Sequence, residues 1–211
     1  MTFVRNELRD AAVGVGVADT PEGLDAIHKP GCAATIWRRQ PMPGFQSWID
    51  DLDPACLPST RCFLRPDKAI NVVRDLFDGT GIAYCAERFW LESDVIDLAE
   101  RFAAIMQSPY LRLRLDKVTT NACRRFHVDA IKARLICTYR GSGTQYGISV
   151  DGNKPRRVFQ VATGAPMILR GSLWPESPLS GLLHRSPPIE GTGETRLVLV
   201  LDPVFDMESD T

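Results

Sequence analysis

Three histidines occur in the 211 residues, and two stand where they could hold a metal. His127 lies in RFHVDA, two residues before Asp129. On an extended chain residues i and i+2 point to the same face, so this imidazole and this carboxylate converge. His184 follows 57 positions later in GLLHRSPP, at the end of an apolar run. Two neutral imidazoles and one carboxylate on one face of an iron ion leave open positions for a co-substrate and dioxygen. Arg196 comes 12 positions after His184 and opens the run TRLVLVLD. If that run is a buried strand, its guanidinium needs an anion. The intervening PPIEGTGE has the length and glycines of a connection between antiparallel strands, which would set Arg196 beside His184. A dicarboxylic co-substrate could then chelate the metal at one end and meet Arg196 in a two-point salt bridge at the other.

The elements that must position these residues change character near Tyr110. From there LRLRLDKV, RLICTY, YGISV, RVFQV, MILR and TRLVLVLD alternate with GSG, DGNKP, TGAP, PESP and GTGE, which reads as short strands and turns. Before that point helical spacing predicts a helix over Ala69 to Phe77 and a second from a Ser93 cap to Gln107. Residues 35 to 66 carry clustered Pro, Trp and Cys with no sustained period and read as an irregular wrap. VGVGVAD lacks the third glycine of a dinucleotide loop. The expected division is a mostly helical and irregular region over 1–109, a strand-rich core over 110–205 and an acidic tail over 206–211.

HVD, then an apolar strand ending in Tyr, then a distal His followed a dozen residues on by Arg, resembles the Fe(II)/2-oxoglutarate-dependent oxygenases. The likeness is one of motifs and spans roughly Leu111 to Pro203. It implies an α+β fold whose core is a double-stranded β-helix, jelly-roll or cupin-like, carrying a helical N-terminal extension. It implies His127, Asp129 and His184 as Fe(II) ligands and Arg196 as the partner of the distal carboxylate of 2-oxoglutarate. It further implies that Tyr139 shares that carboxylate, with Thr138 or Arg134 as substitutes if the register shifts. Asn121 is the candidate for the other end of the co-substrate. The implied chemistry is hydroxylation, or demethylation through it, with release of succinate and carbon dioxide. The resemblance implies no particular substrate.

Composition bounds the alternatives. Twenty-five basic against 26 acidic residues leave a net charge of -1, so no global pull toward nucleic acid or an anionic membrane is expected. The pairs Arg38 and Arg39, Arg124 and Arg125, and Arg156 and Arg157 read as solvated faces, and they alone favour a nucleic-acid or protein binding module. The first residues lack a signal-peptide pattern and no stretch approaches a membrane span, so a cytoplasmic protein is expected. Six scattered cysteines form no CxxC pair. The rival metal reading is a zinc- or iron-binding cupin-like protein of metal handling, in which Cys123 or Cys137 assists the same three ligands. Trp37, Trp48, Trp90 and Trp174 read as packing anchors, and His28 as a surface loop residue. Neither GISVDG nor GSGTQY completes a hydrolase GxSxG.

Overall fold

The computed structural model describes residues 11–149, 153–175 and 178–206. The first ten residues and most of the acidic tail, both read above, lie outside it. Among the described residues ten strands form: β1 (Gly14–Ala18), β2 (Cys32–Trp37), β3 (Thr60–Leu64), β4 (Tyr110–Val118), β5 (Ala133–Arg140), β6 (Gln145–Ile148), β7 (Phe159–Gln160), β8 (Met167–Arg170), β9 (Leu182–Arg185) and β10 (Arg196–Val204). Three α-helices, α1 (Phe45–Asp51), α2 (Ala69–Asp78) and α3 (Ala86–Met106), lie among the N-terminal strands and before β4.

A seven-stranded sheet runs in the order β1-β2-β8-β5-β10-β4-β3, and a three-stranded sheet in the order β7-β6-β9. From β4 onward the chain distributes its strands between the two sheets, an architecture that resembles a jelly roll. An antiparallel bridge between His127 and His184 adds the HVD segment to the smaller sheet beside β9.

β10 shows how sequence alternation builds the interior. Leu197, Leu199 and Leu201, fully buried, point to one face and join Leu91, Leu98 and Phe102 of α3 in the larger core. Val198 and Val200 point to the other face and join Ile136, Met167, Leu169 and Leu182 in a second core. Period two places Arg196 and Asp202 on this second face, at its two ends. Because β10 lies between β5 and β4, both side chains are buried, to 2% and 1% exposure.

The sequence places the α2 helix well but starts α3 too late. α3 begins at Ala86, with the Cys85 sulfur accepting from the Arg88 N–H at 3.4 Å. Ser93 is therefore interior, because AERFWLE before it continues a good helix-forming run and leaves no break at Ser93. The segments read as irregular supply β1, β2 and β3, which extend the larger sheet at both edges. Their runs are short, and pairing with strands distant in sequence makes them strands. Trp174 is buried, with its ring 5.5 Å from that of His28, which is itself exposed as a surface residue and whose Nε2 lies 3.0 Å from the Ile105 carbonyl oxygen. Among the described residues no helix is long and apolar enough to cross a membrane.

The turn after β8 clamps the segment that carries Asp129. The N–H groups of Gly171, Ser172 and Leu173 donate to the carbonyls of Lys132, Asp129 and Ile131 at 2.8, 2.8 and 3.1 Å. A Cβ on Gly171 would sit 1.9 Å from the Ile131 carbonyl oxygen and 2.8 Å from that of Asp129. Gly171→Ala is therefore expected to lower unfolding stability by roughly 1–3 kcal/mol in chemical denaturation. An unchanged midpoint would contradict this packing.

Candidate metal centre

His127 and His184 face each other across their bridge, each backbone N–H donating to the other's carbonyl, at 3.1 and 3.0 Å. Directly opposed residues of an antiparallel pair put their side chains on one face, and the two imidazole centroids lie 4.5 Å apart. Asp129, two residues beyond His127, closes the set. Its Oδ1 is 3.4 Å from His127 Nε2 and its Oδ2 is 3.1 Å from His184 Nε2. One ligand atom from each of the three lies within 4.8 Å of the others, and no other such cluster occurs among the described residues.

The surroundings hold each group in the form a metal takes. His127 Nδ1 lies 2.8 Å from the Arg125 carbonyl oxygen, which accepts its proton and leaves Nε2 as the lone-pair nitrogen. Burial holds His184 below the ordinary imidazole value, against the pull of Asp129, so its neutral form is favoured. Burial alone would raise the Asp129 carboxyl, but His184, Arg134 and His127 outweigh it and hold it at about 2. Arg134 Nη1 meets Asp129 Oδ1 at 2.8 Å. Oδ2 is buried and, despite its closeness to His184, receives no hydrogen bond of normal geometry. An ionised carboxylate with one oxygen unsatisfied, set beside two imidazole nitrogens, is the arrangement a divalent cation would complete.

A cavity of about 110 Å³ opens beside the triad, lined by His127 and His184 with Arg114, Arg134, Thr144 and Arg196 among its walls. Arg196 donates from Nε to the Ser142 carbonyl at 2.6 Å and from Nη2 to Thr138 Oγ1 at 3.3 Å. Among the described residues no carboxylate lies within ion-pairing distance of it. Its acidic neighbour, Glu194, is turned to Ser142, accepting from the backbone N–H at 2.6 Å and from the hydroxyl at 3.1 Å. Burial pulls the guanidinium down to about 10, with Glu194 only partly opposing.

His127, Asp129, His184 and Arg196 are thus brought to one place. Two candidates are not. Tyr139 lies on the opposite face of β5 with Cys137 and Leu135, and its O–H donates to Asp94 Oδ2 at 2.7 Å. Alternation decides this: Arg134 and Ile136 line the cavity and Thr138 shares their face of the strand, so Leu135, Cys137 and Tyr139 lie on the other. Thr138 takes the place beside Arg196, and Arg134 the place beside Asp129. Asn121 pins the loop before β10, accepting from the N–H groups of Ile189 and Glu190 at 2.8 and 3.0 Å and donating to Glu190 Oε2 at 2.9 Å. Nothing in a single Asn distinguishes such a loop clamp from a co-substrate contact.

Other expectations separate in the same way. Arg38 is exposed and paired with Asp19 at 2.6 Å, whereas its neighbour Arg39 is buried against Asp94 and over the Trp37 ring. Cys137 is buried away from the cavity, its thiol pushed up to about 12, chiefly by burial. Cys123 is exposed at the cavity rim but is not a member of the ligand cluster. The part of the site that sequence reading missed is the Arg134 bridge from Asp129 to Asp202; the signal available was the shared parity of Arg134, Ile136 and Thr138.

Residues 18–202 match the family described as "Protein of unknown function (DUF1826)". No curated protein matches the chain by sequence. Among solved structures the fold is similar to dioxygenase for auxin oxidation 1 from Arabidopsis thaliana, in a 2-oxoglutarate binary complex. The TM-score is 0.52 at 9% identity, covering 94% of this chain and 95% of that one. It is similar also to the dioxygenase for auxin oxidation in rice, with TM-score 0.52, 14% identity and coverage of 93% and 84%. At these identities the likeness is one of fold.

Calorimetric titration with Fe(II) under anaerobic conditions should give one site, weakened by at least about 100-fold in His184→Ala and by roughly 10–100-fold in Arg134→Gln, which leaves all three ligands in place but removes the support of Asp129 together with a partner of Asp202. Affinity retained in His184→Ala would contradict this assignment.

Proposed function

We propose that this chain, which belongs to the DUF1826 family, is an Fe(II)- and 2-oxoglutarate-dependent dioxygenase that hydroxylates, or demethylates through hydroxylation, an organic substrate. The observation that carries the reading is the buried guanidinium of Arg196, which meets no acid among the described residues and lines the same cavity as His127 and His184. A metal site alone needs no such group. An oxo-acid with a second carboxylate does, because one end would chelate and the other would satisfy Arg196.

When bound, iron and 2-oxoglutarate supply an oxidation by dioxygen in which one oxygen atom enters the substrate C–H bond and the other leaves in succinate, with carbon dioxide released. The chain's own part is positioning and exclusion of water. The Asp129 carboxylate and the two imidazoles would present one donor atom each to a metal, beside the cavity that His127 and His184 line. Thr138 accepts from Arg196, which leaves its own hydroxyl proton free to donate to a carboxylate bound there. Ile136, Val198 and Val200 line the cavity wall with apolar groups that exclude water from the reacting atoms. The fold shared with a dioxygenase described in complex with 2-oxoglutarate supports the choice of oxo-acid.

For thiolate-assisted metal handling, Cys137 faces the other core and Cys123 lines the cavity outside the cluster of three ligands. Anaerobic addition of 2-oxoglutarate to the Fe(II)-loaded chain should produce a visible metal-to-ligand charge-transfer band, lost in His184→Ala and in Arg196→Ala. Iron binding with no band in the unaltered protein would remove the oxygenase reading and leave a metal-binding protein.

A further inference from the structure

Of the four arginines that line the cavity, Arg114 and Arg185 are not employed by the site described so far, and Arg185 is held by Gln145 at 2.8 Å and over the Phe126 ring, which leaves Arg114. It sits on β4 opposite Val200 of β10, four residues, or roughly 13 Å, along that strand from the position of Arg196. The two guanidiniums therefore stand toward opposite ends of one cavity wall. Arg114 stands at the triad end, since Asp202 there is held by Arg134, which in turn holds Asp129.

Its local partners are already taken. Asp202 Oδ2 accepts from Arg112 at 3.0 and 3.2 Å and from Arg134 at 2.9 Å, while Oδ1 accepts from Arg134 at 2.6 Å. Arg114 Nη2 approaches Oδ2 only to 3.6 Å, outside hydrogen-bonding distance, and its buried Nε has no partner among the described residues. Asp116, its neighbour on the same face, is 3.5 Å from Arg61. Three guanidiniums thus share Asp202, with Asp116 as the next acid at Arg114. Burial, and then Arg134, pull Arg114 below the ordinary guanidinium value, as expected for a cation short of an anion. A half-buried arginine kept in such a place costs stability that Val198 and Val200 beside it avoid.

We propose that Arg114 is a substrate-recognition residue that receives an oxyanion, carboxylate or phosphate, of the molecule to be oxidised, while Arg196 receives the co-substrate. This rests on the oxygenase reading for its division of roles. The geometry at Arg114 is independent of it.

The test is calorimetric titration of inorganic phosphate, and separately of benzoate, into the full chain, with and without Mn(II) and saturating 2-oxoglutarate. The stronger of the two probes identifies the oxyanion class. Binding should persist when 2-oxoglutarate is present, weaken at least tenfold in Arg114→Gln, recover in part in Arg114→Lys, and stay unchanged in the exposed surface variant Arg38→Gln. Arg114→Gln should keep the 2-oxoglutarate affinity of the parent and a thermal midpoint no lower than the parent's. The proposal is overturned if neither probe binds, if 2-oxoglutarate or Arg196→Gln abolishes binding while Arg114→Gln does not, or if Arg114→Gln weakens 2-oxoglutarate as much as the probes. If the probes bind through Arg114 but 2-oxoglutarate does not bind the parent, the anion site stands and the oxygenase reading falls.

Discussion

Asp202 is a single buried carboxylate that ties three strands and the candidate metal centre together. It projects from β10, accepts from Arg112 of β4 and Arg134 of β5, and through Arg134 reaches Asp129. A carboxylate at 1% exposure is tolerated only because its oxygens are fully engaged. Removing it would leave several guanidiniums facing one another on one sheet face, a loss of about 3–5 kcal/mol by comparison with other broken buried pairs. The same contact holds Asp129 Oδ1, and so sets how the carboxylate lies against the two imidazoles. Fold stability and metal-site geometry therefore depend on one ion-pair network.

The charge pattern of the cavity follows from the alternation of β10. Its apolar middle, Val198 and Val200, separates a cation at one end from an anion at the other, Arg196 and Asp202. The anion is overmatched by its arginines and the cation is unmatched. The cavity consequently carries positive potential at both ends, and a divalent ion at the triad would add to it. A site built in this way favours anionic ligands, and low-dielectric walls strengthen each such contact relative to water.

How much of this could be read in the sequence depends on whether a signal is local. The HVD step, the apolar run before His184 and the alternation of TRLVLVLD are local, and the structure brings His127, Asp129, His184 and Arg196 together. The strand-rich second half is legible for the same reason. Tyr139 was misplaced because its parity can be judged only against neighbours on the same strand, and Thr138, not Tyr139, shares the parity of Arg134 and Ile136. Asn121 could not be distinguished because its partners, Ile189 and Glu190, lie far along the chain. β1, β2 and β3 escaped notice since they are short and owe their structure to distant partners. Arg39 sits in a charged pair that looks solvated, yet a buried Asp94 from α3 meets it.

The central claim is that His127, Asp129 and His184 hold one iron with positions left for an oxo-acid. X-ray absorption at the iron edge, on the full chain loaded anaerobically with Fe(II) and compared with and without 2-oxoglutarate, tests it most directly. The account predicts a first shell of nitrogen and oxygen only, with two imidazole signatures, that changes when 2-oxoglutarate is added. A sulfur in that shell, or a shell indifferent to 2-oxoglutarate, would contradict it.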